Sequence, residues 1–270
     1  MQQHHPITRR ILLRDMGRAG LALLVVGAAA CAPGPDLEPA PTEGPSEPGP
    51  TGAPTEPGPT APPAETTRPQ GTATPAQGHA WQRANLGFVS AYVLYRDGEA
   101  ALVDTGVEGS EAAIGEALAA VGLGWDSVAH VIISHKHPDH QGSLQAVLEL
   151  ATAAPWYAGR GDLPLIFASV RGMPVGDGDR VFDLEIIETP GHTPGHISVL
   201  DPAAGILVAG DAINGANGGV IGPNPDFTED MGLANLSVIK LAGFDYEVIL
   251  FGHGEPVTSG GSNAVRSLVG

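Results

Sequence analysis

The sequence predicts an α/β domain in which two β-sheets pack face to face and helices cover them from outside. From about residue 85 onward, short apolar runs alternate with Gly, Asp and Pro, a pattern typical of strands and tight turns. Each half of this region passes through several such runs and then into a segment whose apolar residues recur at helical spacing. Two halves that each run from strands into a helix suit two stacked sheets with helices outside.

Three segments of the chain differ in composition. Residues 1–31 are basic and apolar, residues 32–80 are dominated by Pro, Gly, Thr, Ala and Glu, and residues 81–270 have the composition of a globular domain. The last segment is long enough for one hydrophobic core. The net charge of the chain is −17, and most of it falls in this segment. Because an acidic domain repels phosphate backbones, we expect no nucleic-acid partner.

The first 31 residues resemble an export signal, with a basic start, an apolar stretch over 19–30 and small residues before Cys31. Residues 8–14, TRRILLR, resemble the twin-arginine motif, and the final AAAC resembles a lipobox. We therefore expect an exported chain held on the cell surface by a lipid on Cys31. Because Ala28 stands where a lipobox usually has Leu or Val, simple secretion stays open. A transmembrane anchor is the weaker alternative, since roughly 20 apolar residues are needed to span a bilayer.

Residues 32–80 contain almost no bulky apolar side chains and cannot form a core. Their proline content favours extended conformations, so we expect a disordered tether that holds the domain away from a membrane. A proline-rich ligand for a recognition module is less favoured, because basic anchor residues are scarce. Cys31 is the only cysteine, so the globular part has no disulfide and no thiol for catalysis or metal binding.

Turn residues and apolar spacing predict the elements of the first half. We expect strands over 87–96 and 99–106, a helix over 110–123, a strand over 127–135 and a helix over 142–151. In the second half we expect strands over 163–168, 180–191, 197–202, 205–213 and 246–254. Helices are expected over 230–243 and at the C-terminus.

The stretch SHKHPDHQG directly follows a predicted strand. His135 and His137 stand two apart in extended chain, so both rings project to one side and can bind the same ion. Pro138 then turns the chain and presents Asp139 and His140 from another direction. Two ligand pairs set at an angle suit two adjacent metal ions. Imidazole and carboxylate without thiolate indicate Zn²⁺, Mn²⁺ or Fe²⁺.

Three later strands also finish in side chains that can bind metal: His192 in TPGHTPGH, Asp211 in AGD and His253 in FGHG. Polar strand ends at one edge of a sheet are where α/β proteins usually build sites. These ends converge on the first motif only if their strands share that edge. The alternative, satisfied polar residues scattered over the surface, must account for four ligand-type residues within six positions and three more downstream.

The motif His-x-His-x-Asp-His, followed by single His, Asp and His residues, resembles the metallo-β-lactamase fold superfamily. The resemblance covers nearly all of residues 81–270 and includes LVDTG at 102–106. It implies a four-layer αββα sandwich that binds two metal ions, with zinc favoured and iron or manganese as alternatives. It also implies the ligands: His135, His137 and His192 for the first ion, Asp139, His140 and His253 for the second, and Asp211 between them.

The resemblance further implies a hydrolase in which a hydroxide bridging the two ions attacks an ester, lactone, thioester or amide of a small molecule. We assign catalytic roles to Asp139 and Asp211. The β-lactamases with a cysteine ligand are excluded, and Asp211 argues against the other β-lactamases, which stay a further alternative. Glyoxalase II, lactonase and general hydrolase branches are more similar. A glutathione thioester is disfavoured, because only Lys240 and Arg266 supply positive charge in the last third of the domain.

Two alternatives from other classes stay open. Some relatives use iron to oxidise sulfur or to transfer electrons, and the electron-transfer relatives replace one motif histidine with glutamate. Because His137 is present, an iron-dependent sulfur dioxygenase is the redox alternative. A non-catalytic binding module is disfavoured by the intact ligand set. The sequence leaves the substrate, the metal, the general acid and the oligomeric state undetermined.

Other polar residues receive weaker assignments. Asp104 is expected either to orient a ligand imidazole or to end a strand. His196 is expected to be structural and His130 to pack within its strand. Three more histidines lie outside the domain or at its edge: His4, His5 and His79.

The segment 212–230 is rich in Gly, Asn and Pro and directly follows Asp211, which makes it a candidate substrate loop. Asn214, Asn217 or Asn224 is expected either to donate a hydrogen bond to the substrate or to serve only the connection.

Overall fold

The computed structural model describes residues 78–270. The export signal predicted for residues 1–31 and almost all of the tether predicted for residues 32–80 lie outside the described residues, as do Cys31, His4 and His5. Within residues 78–270, no helix has both the length and the apolar character needed to cross a membrane.

A six-stranded sheet forms the first half of the domain. Its strands follow one another in chain order: β1 Ala80–Asn85, β2 Ser90–Arg96, β3 Glu99–Val103, β4 Val128–Ile133, β5 Trp156–Gly159 and β6 Met173–Val175. Strands β1 to β3 are antiparallel, whereas β3 to β6 are parallel. The parallel strands therefore end at one edge of the sheet, and β4 delivers the histidine motif to that edge.

A five-stranded sheet forms the second half. Its strands are β7 Arg180–Val181, β8 Leu184–Glu188, β9 Ile197–Asp201, β10 Ile206–Gly210 and, after the hairpin β11 Asn214–Ala216 and β12 Gly219–Ile221, β13 Val248–Phe251. Across the sheet the order is β13-β10-β9-β8-β7, with β13 parallel to β10 and the other pairs antiparallel. Because β10 and β13 are parallel neighbours, Asp211 and His253 emerge side by side.

Helices and apolar clusters complete the layers. The helices are α1 Glu111–Ala120, α2 Pro138–Gln141, α3 Leu144–Leu150, α4 Met231–Ala242 and α5 Gly261–Val269. One buried cluster joins α1 and α3 to the first sheet, a second lies between the sheets, and a third joins α4 and α5 to the second sheet.

Alternation along the strands places neighbouring residues in different clusters. In β4, Val131 and Ile133 pack toward the helices, whereas Ile132 packs between the sheets. Both faces of each sheet are therefore covered, which confirms the predicted α/β fold and its four-layer αββα arrangement.

One strand prediction is wrong, and three strands were missed: β1, β5 and β6. The strand expected over 163–168 begins as a 3₁₀ turn, Leu163–Leu165, and Pro164 cannot donate to a ladder. The short parallel strands β5 and β6 were not predicted, because runs of three or four residues carry too little periodicity.

Two hairpins were also not predicted from the sequence. The strand expected over 180–191 turns back at Phe182 and Asp183, both with positive φ, to form β7 and β8. The candidate substrate loop contains the β11–β12 hairpin, which turns at Asn217 and Gly218 with φ of 52° and 76°. Positive φ at both turn positions is the type I′ geometry that Asn-Gly favours.

His79, expected at the edge of the domain, fixes the beginning of the described chain. Its ring is buried, and Nδ1 lies 2.7 Å from Oδ2 of Asp201. Its backbone N–H donates to the same oxygen at 2.6 Å. His79 is therefore a structural residue that ties the start of β1 to the end of β9.

Candidate metal centre

The predicted ligands come from strand ends that meet at one place. His135 follows β4, and the single helical turn α2 brings Asp139 and His140 back toward it. His192 lies in the β8–β9 loop, Asp211 follows β10 and His253 follows β13. The structure brings together all seven residues: His135, His137, Asp139, His140, His192, Asp211 and His253.

His135, His137 and His192 form the first group. Nδ1 of His137 lies 3.1 Å from Nε2 of His135 and 2.9 Å from Nε2 of His192. His135 and His192 are buried, whereas His137 is half-buried and reaches the surface of the site. Three ring nitrogens that converge in this way match the imidazole ligands of one divalent ion.

Asp139, His140 and His253 form the second group. Oδ2 of Asp139 lies 3.3 Å from Nε2 of His253 and 3.9 Å from Nε2 of His140. Asp211 lies between the groups, with Oδ2 3.2 Å from Nε2 of His253 and 3.5 Å from Nε2 of His192. Because it approaches members of both groups, Asp211 is placed to bind two ions.

Asp104 fixes the direction of two imidazoles. Its Oδ2 accepts hydrogen bonds from Nδ1–H of His140 and from Oγ–H of Ser134, each at 2.8 Å. Since the Ser134 hydroxyl donates to Asp104, it accepts from Nδ1–H of His135 at 3.0 Å. With the protons on Nδ1, the Nε2 atoms of His135 and His140 direct lone pairs into the site. Of its two expected roles, Asp104 thus has that of orienting a ligand.

The Nδ1 atoms of two more predicted ligands, His253 and His192, are also held by hydrogen bonds. Nδ1–H of His253 donates to the carbonyl of Phe88 at 2.7 Å. The hydroxyl of Thr228 donates to the carbonyl of Asn224 and accepts from Nδ1–H of His192 at 3.2 Å. The Nε2 atoms of both rings face the carboxylate of Asp211, an arrangement that a proton or a metal ion between them stabilises.

Two buried atoms of the site make no hydrogen bond to the described residues: Nε2 of His140 and Oδ1 of Asp211, which lie 3.4 Å apart. Leaving a buried polar atom unsatisfied costs about 1–3 kcal/mol, and more if it is charged. A divalent ion would satisfy both. The donor set, the tautomers and the unsatisfied atoms all fit a pair of divalent metal ions.

Burial keeps the first group neutral. It lowers the pKa of His192 to about 4 and, with the neighbouring imidazoles, holds the pKa of His135 well below its usual range. Burial also lowers the pKa of His137. Neutral imidazole is the form that binds a metal ion, so these three rings are ready to act as ligands at neutral pH.

In the second group the neighbouring carboxylates raise the pKa values of the imidazoles. Hydrogen bonds with Asp139 and Asp211 raise the pKa of His253 to about 10. Burial would lower the pKa of His140, but Asp211 and Asp104 raise it overall. A proton therefore occupies this group in the metal-free protein, and metal binding would displace it.

His196 is outside the groups that could hold a metal ion and instead holds the backbone of Asp211. Its Nε2 accepts the backbone N–H of Asp211 at 3.0 Å, and its Nδ1 pairs with a threonine hydroxyl at 2.8 Å. Burial lowers the pKa of His196 to about 3, which keeps it a neutral acceptor. His130 packs beside the rings of Tyr157 and Phe182, away from the site.

Asp162 is a site residue that was not predicted from the sequence. Its carboxylate is buried and accepts the N–H of Lys136 at 3.0 Å, the hydroxyl of Thr193 at 2.5 Å and the N–H of Gly195 at 2.8 Å. It therefore ties the segment of His137 to the loop that carries the third histidine of the first group. The available signal was the aspartate of the sequence RGD directly after a strand, but that strand, β5, was itself not predicted.

A cavity of about 850 Å³ opens onto the metal centre. Its walls combine site residues with apolar side chains: His137, Asp139, Asp211 and His253, then Phe88, Pro138, Ile221, Pro223, Pro225 and Phe227. Asn214 and Asn224 also line it, whereas Asn217 forms the hairpin turn and does not. The size is that of a site for a small organic molecule.

An αββα sandwich that gathers histidines and aspartates at its strand ends defines a class of protein with a two-metal site. The profile of the Metallo-beta-lactamase superfamily matches residues 84–253, a range that contains all seven predicted ligands. The chain belongs to this superfamily.

Two curated relatives and one solved structure show how far the similarity extends. The chain is 31% identical over 202 residues to the probable metallo-hydrolase YflN of Bacillus subtilis, a match that covers 58% of this chain and 76% of that protein. It is 36% identical over 96 residues to the hydroxyacylglutathione hydrolase of Erythrobacter litoralis, covering 33% of this chain and 36% of that protein. The chain thus spans about three quarters of the first relative and about a third of the second.

Among solved structures, a metallo-beta-lactamase family protein from Thermus thermophilus is similar in fold. The TM-score is 0.57 at 22% identity, over 71% of this chain and 78% of that one.

Proposed function

We propose that the chain is a metal-dependent hydrolase that binds two divalent ions, zinc first among them, and cleaves an ester, lactone, thioester or amide bond of a small molecule. The observation that carries the proposal is the convergence of five imidazoles and two carboxylates, with Nε2 of His140 and Oδ1 of Asp211 buried and unsatisfied. The names of two relatives, probable metallo-hydrolase and hydroxyacylglutathione hydrolase, support the same reaction class.

The proposal assigns each ion its residues. The first would be held by His135, His137 and His192, the second by Asp139, His140 and His253, and Asp211 would be shared. Imidazole nitrogen and carboxylate oxygen are ligands that zinc takes in catalytic sites, and iron and manganese accept them too. When bound, such ions lower the pKa of water to near neutrality and polarise an oxygen of the substrate.

The two carboxylates with catalytic assignments have different surroundings. The side chain of Asp211 is 8% exposed and is fixed through its backbone by His196, so its role is to hold the centre together. The side chain of Asp139 is 25% exposed and lines the cavity. We therefore assign Asp139 as the group that would accept the proton of the attacking water and return it to the leaving group.

Export and lipidation at Cys31 form a separate proposal, which rests on the sequence of residues 1–31. We expect the full chain to incorporate labelled palmitate in a bacterial host and Cys31→Ser not to. Equal labelling of the two forms, or release of both as soluble protein, would contradict the lipid anchor.

The hydrolase proposal is tested with a panel of esters, lactones, thioesters, amides and β-lactams. The full chain is assayed before and after zinc loading. We expect zinc-dependent turnover within the first four classes, loss of that turnover in His135→Ala, and full turnover in His130→Ala. The second variant is the matched control, because His130 lies on β4 but outside the site.

Three results would count against the proposal. No turnover of any compound by the zinc-loaded protein would overturn it. Turnover of β-lactams alone would indicate a β-lactamase. One iron ion per chain with oxygen uptake on a thiol substrate would indicate a sulfur dioxygenase instead.

A further inference from the structure

Three exposed apolar side chains gather at the cavity beside the metal centre. Phe88, Ile221 and Phe227 line it and are 65%, 48% and 67% exposed. Single apolar residues scattered over a surface need no explanation, whereas a group at one concave site marks a place where a ligand binds. Their shared position therefore calls for an apolar group on the ligand.

Ile221 is held relative to the second group of ligands. It ends the β11–β12 hairpin, where it pairs with Asn214. In the same hairpin, the N–H of Gly215 donates to the carbonyl of His253 at 2.9 Å. The backbone of a metal ligand thus anchors the strand pair that carries Ile221.

Phe227 is held relative to the first group. Its N–H donates to the carbonyl of Asn224 at 3.2 Å, which closes a turn. Thr228 accepts from Nδ1–H of His192, and the N–H of Glu229 donates to the carbonyl of that histidine at 3.2 Å. Both the backbone and the side chain of a metal ligand therefore fix the segment that carries Phe227.

Phe88 joins the apolar wall to the metal centre directly. Its ring stacks on the ring of His253 with centroids 6.0 Å apart and an interplanar angle of 11°. Its carbonyl accepts from Nδ1–H of the same histidine at 2.7 Å. A substrate whose reacting group lies at the ions would extend its remaining part along this wall.

The charge of the cavity also favours a substrate whose chain is uncharged. Among residues 78–270, no lysine or arginine lines it, and its ionisable groups are Asp139, Asp211, His137 and His253. The basic side chains that neighbour the site are engaged by other carboxylates: Lys136 with Glu229 and Arg83 with a glutamate, at 2.6 and 2.7 Å. A negative group on the substrate, away from the ions, would therefore find no cation.

We propose that the substrate class is a neutral ester, lactone or thioester with an apolar acyl chain, which lies against Phe88, Ile221 and Phe227. This inference rests on the proposed hydrolase function and adds what the cavity selects. It makes Ile221 and Phe227 specificity-determining residues that contact the acyl chain of the substrate.

The first test compares p-nitrophenyl acetate with p-nitrophenyl octanoate on the zinc-loaded full chain. Because each fully buried methylene favours binding up to about fourfold, we expect kcat/KM to be at least about tenfold higher for octanoate. Equal values for the two esters would overturn the proposal.

Two phenylalanine variants sharpen the test. In Phe227→Ala we expect the ratio of the octanoate to the acetate kcat/KM to fall at least about fivefold, because the variant removes a contact that only the longer acyl chain makes. Phe167→Ala is the matched control, because Phe167 is 79% exposed and does not line the cavity. An equal effect of both variants would contradict a specific apolar wall.

The charge argument has its own test in the p-nitrophenyl monoester of suberic acid, which has the octanoate length but ends in a carboxylate. We expect it to be hydrolysed at least about tenfold more slowly than the octanoate ester, and Phe227→Lys to reverse part of that difference. Equal rates in the wild-type chain would overturn the exclusion of anionic chains.

Binding separates this inference from the hydrolase proposal. If no compound of the panel is hydrolysed, the hydrolase proposal fails, but calorimetric titration of octanoate and of suberate into the zinc-loaded chain still tests the apolar wall. We expect octanoate to bind at least about tenfold more tightly than suberate and Phe227→Ala to remove this preference. Equal affinities would overturn the inference.

Discussion

The carboxylate of Asp104 accepts the Nδ1–H of His140 at 2.8 Å, and both side chains are buried. A charged group outside the ligand set thus determines which nitrogen of a ligand faces the ions. The same carboxylate holds Ser134, whose hydroxyl accepts from His135. One residue therefore orients a ligand from each half of the centre.

Asp104→Asn is expected to weaken metal binding about 10- to 100-fold, because it removes the charge that orients His140 and offers an amide to the N–H and O–H of Ser134. The backbone conformation is preserved, since Asp104 has φ of 64° and Asn tolerates this region. Competition with a zinc chelator measures the affinity. Asp97→Asn, at φ of 53° in an exposed turn, is the control, and an equal affinity in both variants would contradict the role of Asp104.

Gly252→Ala is expected to block the centre while leaving the fold intact. A Cβ at this position would lie 2.1 Å from Oδ1 of Asp211 and 2.5 Å from Cε1 of His140. These are the two residues with unsatisfied buried atoms, so the methyl group would displace the ligands themselves.

Metal analysis after zinc loading checks this prediction, and we expect fewer bound ions than in the wild-type chain. Gly124→Ala is the matched control, because an added Cβ meets no atom within 4 Å there. Two tightly bound ions in Gly252→Ala would show that the metals do not lie between Asp211 and His140.

Asp162→Asn is expected to destabilise the chain by about 1–3 kcal/mol, because one acceptor oxygen becomes an amide that faces buried donors. Since Asp162 connects the segments of His137 and His192, zinc affinity is expected to fall as well. Urea unfolding of the metal-free protein measures the first effect and chelator competition the second. Asp245→Asn, at an exposed surface position, is expected to change neither. A stability equal to wild type would contradict a supporting role for this carboxylate.

The His79–Asp201 pair predicts a pH dependence of stability that is separate from the metal centre. Burial would raise the pKa of Asp201, but its hydrogen bonds with His79 lower the pKa to about 2. A carboxylate with a lowered pKa contributes stability that is present above its unfolded pKa of about 4 and is lost as the pH falls toward 2.

The free energy of unfolding of the wild-type chain should therefore exceed that of Asp201→Asn by about 2 kcal/mol at neutral pH. The difference should shrink between about pH 4 and pH 2, as measured by denaturant titration of both forms with chelator present. A difference independent of pH would show that the charge of Asp201 does not contribute.

The residues that converge at the candidate metal centre could be predicted from the sequence because local motifs mark them. The motif from His135 to His140 supplies four of these residues within six positions. The other three, His192, Asp211 and His253, stand at recognisable strand ends. The layers could be predicted because apolar residues alternate along strands and recur along helices.

The supporting residues could not be predicted, because their partners are distant in the sequence. Phe88 and His253 are joined across 165 positions and His79 and Asp201 across 122, and no local pattern marks either pair. Asp162 depends on a strand of four residues that periodicity does not reveal. The wall of the cavity depends on the hairpin at Asn217, whose Asn-Gly turn signal lay within a segment interpreted as a loop.

The central claim is that two ions held by the seven ligands make the chain a hydrolase. The most direct measurement is the rate of p-nitrophenyl octanoate hydrolysis by the full metal-free chain during titration with zinc. We predict that the rate rises from near zero and reaches its plateau at two equivalents of zinc per chain, with no rise in His135→Ala. A rate that is already maximal in the metal-free chain, or that does not respond to zinc, would contradict the account.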